Sequence, residues 1–360
     1  MVETLSTSTA LLSHVGLHGL GAPDVTEWRS LRDLLAVAGC GRLGALRQPS
    51  ARELLPSFEQ TGPPQYGAAS ITKTIVVDQK GHGNFKSIQA AINSIPDGNK
   101  KWIQIHVNQG IYREKVNIPM KKSFIVLQGE GVSKTSIEWN DRGDTMNCAT
   151  FRVFANDFVA RDIAFVNSFK QPSGGPYQVA EAALVGGDRN SFYRCSFIGY
   201  QDTLCDYLGR HFFSDCWIEG AVDYIFGSAQ SMYKSCVLNS IGSGWLTANS
   251  KSNKSSPTGF VFKFCTIRAS GKTYLGRPWN EWSTVVFYKT YMPANIVPEG
   301  WAAWGSSDQS KTTYVEEGCT GPGSSKSRRV SWLKKLSGEQ LSHFTDNRFI
   351  GPDDWLSQQP

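Results

Sequence analysis

Two aspartates in this chain sit at the same phase of consecutive repeats. Phe192-Tyr193-Arg194-Cys195-Ser196-Phe197-Ile198-Gly199 is matched by Phe213-Ser214-Asp215-Cys216-Trp217-Ile218-Glu219-Gly220: an aromatic residue, two polar residues, Cys, three further residues and Gly. Asp202 lies seven residues after Cys195, and Asp223 lies seven after Cys216. If the repeats stack as strands of a sheet, equivalent positions are roughly 4.8 Å apart. Carboxylates that close do not both ionise readily, so their pKa values are driven apart. One becomes a proton donor while the other stays ionised and nucleophilic. The competing role is structural, because Asp often holds turns.

The elements that would position such a pair follow from the same repeat. A period of about 20 residues indicates a stacked solenoid. It continues in Tyr233-Lys234-Ser235-Cys236-Val237-Leu238 and, after a longer insertion, in Phe262-Lys263-Phe264-Cys265-Thr266-Ile267. Short β-runs broken by Gly, Asn and Asp fit the coils of a parallel β-helix rather than a helical repeat. Cys195, Cys216, Cys236 and Cys265 share one position and read as an internal stack of small buried side chains. Cys148, Cys205 and Cys319 remain disulfide candidates with no connectivity implied. There is no CxxC pair and the histidines are scattered, so neither metal nor cofactor is expected.

The chain has 360 residues, 35 of them Gly, and a net charge of +6 from 37 basic and 31 acidic residues. That length suits one large β-helix domain. No apolar run is long enough to span a membrane. The positive charge is not gathered into a stripe, and no nucleic-acid-binding signature accompanies it. Residues 1–66 differ from the rest and read as a poorly structured extension, with a short helix possible at 27–37. Its apolar run is interrupted by His14 and followed by His18, unlike a secretory signal. The folded domain is assigned to 67–360. Thr74-Ile75-Val76-Val77 reads as a first strand, Ser87 as the cap of a helix reaching about Ile95, and 101–107 as an alternating strand. Further short strands follow at close intervals. Gly81-x-Gly83 lacks the third Gly and the βα context of a dinucleotide loop. His211 reads as structural.

These residues carry a family likeness. The chain resembles plant-type pectin methylesterases in Gly110-x-Tyr112-x-Glu114, Gln201-Asp202-Thr203-Leu204, Asp223-Tyr224-Ile225-Phe226-Gly227, Leu275-Gly276-Arg277-Pro278-Trp279, Arg329-Val330-x-Trp332, Phe349-Ile350-Gly351 and Trp355-Leu356, in family order over about residues 70–356. The resemblance implies an all-β, right-handed parallel β-helix with a short N-terminal helix cap and a C-terminal extension, lacking the family's inhibitor-like N-terminal domain. It implies hydrolysis of the methyl esters of homogalacturonan to methanol and free carboxylates. Carried over by motif, Asp223 is the nucleophile, Asp202 the general acid and then base, and Gln201 an oxyanion donor. Arg277 holds Asp223 ionised and oriented, and Trp279 is a sugar-stacking wall or rim packing. Tyr112 and Glu114 belong to the scaffold. Pectin is the implied partner, with a proteinaceous inhibitor as a second; the enzyme is expected to be monomeric and to act in the extracellular cell wall. Asn253-Lys254-Ser255 is a permitted glycosylation sequon for a secreted chain.

One position departs from the family pattern. A second oxyanion Gln normally stands eight residues before a Gly-Asp. Counting back from Gly187-Asp188, that place holds Val179, and the nearby Gln178 is one residue early. A slip of one turns a strand side chain to the other face unless a bulge restores it. This departure motivates the alternative of a catalytically impaired pectin-binding β-helix. Other pectin-active β-helix enzymes would need a glycosidase carboxylate pair or a calcium cluster. A serine esterase would need Gly-x-Ser-x-Gly before a helix. None of these is present.

Overall fold

Backbone hydrogen bonds between successive coils organise the molecule. The computed structural model describes residue 67 and residues 69–360, apart from 173–174 and 306–307. The extension at 1–66 and its candidate helix at 27–37 lie outside the described residues. Every strand pairs in parallel with strands of the neighbouring coils, in one ten-stranded and two seven-stranded sheets. The three sheets are the faces of a right-handed β-helix, as the repeats indicated. Among the described residues no helix is long and apolar enough to cross a membrane.

The repeat works because each phase of the coil has a fixed environment. Phe192, Phe213, Tyr233, Phe262 and Phe287 are in register in the ten-stranded sheet. Their rings stack inside at centroid spacings of 4.9, 4.5, 4.6 and 4.7 Å. Beside them Cys195, Cys216, Cys236 and Cys265 are buried in the same core. The thiols of the last three donate to the carbonyls of Phe192, Phe213 and Tyr233. Cys319 belongs to this column rather than to a disulfide: its thiol reaches Phe287 O, and Thr290 fills the intervening place by bonding Phe262 O. Cys148, Cys205 and Cys319 are all free thiols.

The residue before each column member turns the chain. Asp162, Arg194, Asp215, Ser235, Phe264 and Lys289 all have positive φ, and Gly318 takes the same place with φ +62°. Asp tolerates this left-handed geometry because its short polar side chain bonds locally. Arg194 is held there by pairing, its Nε donating to Asp162 Oδ1 at 2.7 Å.

The ends are closed as expected. Ile88–Ser94 forms a helix whose Ser87 cap accepts from Ala90 N. Glu114 accepts from Ile88 N and Gln89 N, and Tyr112 donates to Val77 O and Asn108 O, so both are scaffold residues. At the other end the helix Gly338–Thr345 opens on a capping box from Ser337 and Gln340. Phe344, Phe349, Ile350, Trp355 and Leu356 lay the C-terminal segment over Phe212, Met232, Val261, Val286 and Val315 on the outer face of the ten-stranded sheet. Arg329 pairs with buried Glu316 at 2.8 and 2.9 Å, and Trp301 Nε1 donates to the same carboxylate. His211 is buried, with Nδ1 2.5 Å from Asp206 Oδ1 and Nε2 2.7 Å from Gly187 O, which makes it structural.

Removing one ring from the interior stack leaves a cavity that rigid neighbouring coils cannot fill. Phe213→Ala is expected to cost about 3–5 kcal/mol in equilibrium urea unfolding. A loss below about 1 kcal/mol would mean that the stack is not a principal source of stability.

Candidate active site

Asp202 and Asp223 are brought level by the ladder around them. Asp202 N donates to Val222 O at 3.0 Å, and Leu204 N donates to Tyr224 O at 3.0 Å. Gln201 forms a bridge with Val222, and Leu204 pairs with Ile225. The two aspartates therefore occupy adjacent coils of one column, each at a left-handed corner with φ of +60° and +47°. The corners are tight. A Cβ on Gly220 would fall 2.3 Å from Tyr224 Cβ and 2.7 Å from Thr203 Oγ1, which explains the Gly that closes each repeat. Thr203 Oγ1 also donates to Glu219 O at 2.9 Å, fixing the turn that carries Asp202.

Arg277 arrives from two coils further on. Its backbone N donates to Thr247 O at 3.0 Å. A Cβ on Gly276 would meet Thr247 Oγ1 at 2.1 Å, so only Gly allows this approach. The guanidinium meets Asp223 with both prongs, Nε to Oδ1 at 3.0 Å and Nη2 to Oδ2 at 2.5 Å. It is sandwiched between Trp245, at 3.8 Å from the ring centroid, and Trp304, at 4.1 Å. Such stacking suits the planar guanidinium.

The electrostatics separate the two carboxyls. Burial pushes Asp223 above the ordinary carboxylate range, and the hydrogen bonds and charge of Arg277 offset only part of that rise. Asp202 is driven well above the ordinary carboxylate range by burial and then by the negative charge of Asp223, with only a distant opposing effect of Arg277. A proton shared by the pair therefore resides on Asp202, and the charge on Asp223.

The remaining candidates border this pair. Gln201 precedes Asp202, and its side-chain amide makes no hydrogen bond among the described residues. Gln178 is half-buried; its backbone N and O are clamped by the side chain of Gln171 at 2.8 and 2.7 Å, and its own amide bonds neither aspartate. Trp279 is 40% exposed and lies 6.0 Å from Phe226. Apolar Leu184, Phe226 and Ala248 form a patch with Phe154, Tyr207 and Trp304. Trp245 and Trp304 were not singled out in the sequence, although Trp245 follows a strand-opening Gly and Trp304 follows Trp301 by three residues. Glu181 was also missed; a lone acid within the apolar run 180–185 was the available signal.

Comparisons with known proteins identify the family. The family model described as Pectinesterase matches residues 74–353. The chain belongs to the pectinesterase family. Probable pectinesterase 55 of Arabidopsis thaliana is 44% identical over 299 residues, covering 79% of this chain and 91% of that protein. Probable pectinesterase 29 of the same plant is 42% identical over 299 residues, covering 79% and 89%. The solved structure of a pectin methylesterase from carrot aligns with a TM-score of 0.76 and 32% identity, covering 81% of this chain and 98% of that one. This pectinesterase thus carries its family's β-helix.

The raised pKa of Asp202 has a consequence for stability. The folded state holds the proton more tightly than the unfolded chain does, so the proton favours folding. That stabilisation is complete below the ordinary aspartate range and is lost as pH rises through the raised value. Asn at 202 has no proton to lose. Asp202→Asn should melt with the parent near about pH 4 and a few degrees above it near about pH 8. A melting difference that is the same at both pH values would refute the raised pKa.

Proposed function

We propose that this pectinesterase removes methyl esters from homogalacturonan with Asp223 as nucleophile and Asp202 as general acid and base. The observation that carries the reading is the asymmetry of the column: of two stacked carboxyls, Arg277 grips only Asp223. The Asp223 carboxylate attacks the ester carbonyl carbon, and the oxyanion that forms accepts a hydrogen bond from the Gln201 amide. Collapse breaks the bond to the methoxy oxygen, Asp202 gives that oxygen its proton, and methanol leaves an anhydride on Asp223. Water then loses a proton to Asp202 and attacks the anhydride, releasing the free uronic acid and restoring both aspartates. Trp279, on the exposed rim above Phe226, is suited to stack on a sugar ring.

The family resemblance extends the reading to a monomeric enzyme of the cell wall, open to a proteinaceous inhibitor. Asn253 lies in an exposed loop where a secreted chain would accept a glycan. Gln178, whose side-chain amide has no partner among the described residues, is the candidate for a second oxyanion donor, one residue out of the family position.

Methanol release from highly esterified pectin tests these roles. Asp223→Asn is expected to abolish it and Asp202→Asn to reduce kcat by at least about 1000-fold. Gln201→Ala should cost about 100- to 1000-fold, the usual loss for one oxyanion donor. Gln178→Ala near the parental rate would remove Gln178 from the site. Parental methanol release by Asp223→Asn would overturn the mechanism, and pectin binding without turnover by the parent would favour the binding-only alternative.

A further inference from the structure

The column that holds Asp202 and Asp223 begins one coil earlier with a third carboxyl. Ala180 N donates to Gln201 O and Ala182 N donates to Thr203 O, so Glu181 is level with Asp202. Glu181 is 0% exposed, and neither of its carboxyl oxygens has a hydrogen-bond partner among the described residues. Only its backbone is held, its carbonyl accepting from Thr150 N and Asn167 Nδ2. An unpartnered buried carboxyl is costly even when neutral and far more so when charged.

Among the described residues no cation forms an ion pair with Glu181, although Arg152 acts on it from a distance. Asp202 acts on it from the following coil; Asp144 and Arg152 act from the preceding one. Asp144 is engaged by Asn147 and Met146 N, and Arg152 by Met146 O and Asn147. The buried thiols of Cys148 and Cys205 complete the surroundings, and both feel Glu181 and Asp202 together. Arg277 is the cation of the column, and Asp223 occupies it. Burial and the charge of Asp202 raise Glu181 well above its ordinary range, so it is a neutral acid beside the proton donor.

We infer that Glu181 is a positioning residue for Asp202: it keeps its own proton and donates it as a hydrogen bond to the Asp202 carboxylate once Asp202 has protonated methoxide. The inference rests on the role proposed for Asp202. No covalent bond changes at Glu181, and the column carries at most the charges of Asp202 and Asp223. Full burial keeps Glu181 from the substrate, so it acts through Asp202 alone. Two carboxyls that share a proton titrate as a pair, the first ionisation made easier and the second harder. Glu181 thus makes Asp202 a stronger acid than its burial alone would allow.

The test is the pH profile of kcat/KM for methanol release by the full chain carrying Glu181→Leu or Glu181→Gln. The alkaline limb reports loss of the Asp202 proton. Glu181→Leu removes the donor, so its limb should move to higher pH, with kcat/KM relative to the parent climbing about tenfold across the limb. Glu181→Gln keeps an N–H donor and should leave the limb near the parental position. Infrared spectra at neutral pH give a readout independent of activity: the protonated-carboxyl band of the parent should weaken in both variants. A limb unmoved or moved to lower pH in Glu181→Leu, or an unchanged carboxyl band, would overturn the inference. If instead Asp202→Asn releases methanol at the parental rate, it is the role of Asp202 that fails.

Discussion

Parallel stacking in register is the constraint on which the rest of this structure depends. Each coil hydrogen-bonds to the next along three sheets, so a residue type placed at one phase meets its own kind about 4.8 Å away. For aromatic rings and thiols this self-contact is favourable, and the interior becomes a run of stacked Phe and Tyr beside a column of Cys and Thr. For carboxylates it is unfavourable, and that repulsion drives the pKa values of neighbouring aspartates apart. The geometry that builds the core therefore also sets the chemistry.

What could be read from the sequence was whatever repeats at close, even intervals. Cys195, Cys216 and Cys236 lie 21 and 20 residues apart, so the coil and the stacking of Asp202 on Asp223 were visible. Cys319 was not placed, because the preceding coil carries Thr290 at that position and the interval doubles. Arg277 lies 54 residues beyond Asp223, across the exposed loop before the strand Gly259–Lys263; its family motif named it, whereas its two-pronged grip needed the register of three coils. Trp245 and Trp304 were illegible for the same reason. They belong to different coils, and only the closed β-helix presses both against one guanidinium.

The rigidity that makes the repeat legible also sharpens the question at Val179. Ala180 is tied by its N–H to Gln201 O, so the register entering the strand Ala183–Val185 is fixed. A Gln one residue early cannot slide into place along such a ladder, since a slip of one exchanges the faces of every following residue. Gln178 is reachable only from the loop that Gln171 clamps, and Gln201 is the Gln that stands within the column itself.

Charge accounting joins these features. The column places Glu181, Asp202 and Asp223 on three successive coils, and one cation, held between two tryptophans, faces the last of them. With Arg277 committed to Asp223, burial and the neighbouring carboxyls oppose charge on the other two and outweigh the weaker pull of Arg152 on Glu181 and of Arg277 on Asp202. The outcome is that the two carboxyls remote from Arg277 hold a proton more firmly than Asp223 does. That order matches what ester hydrolysis through an acyl-enzyme asks of its carboxyls, and it arises from the coil register and a single arginine.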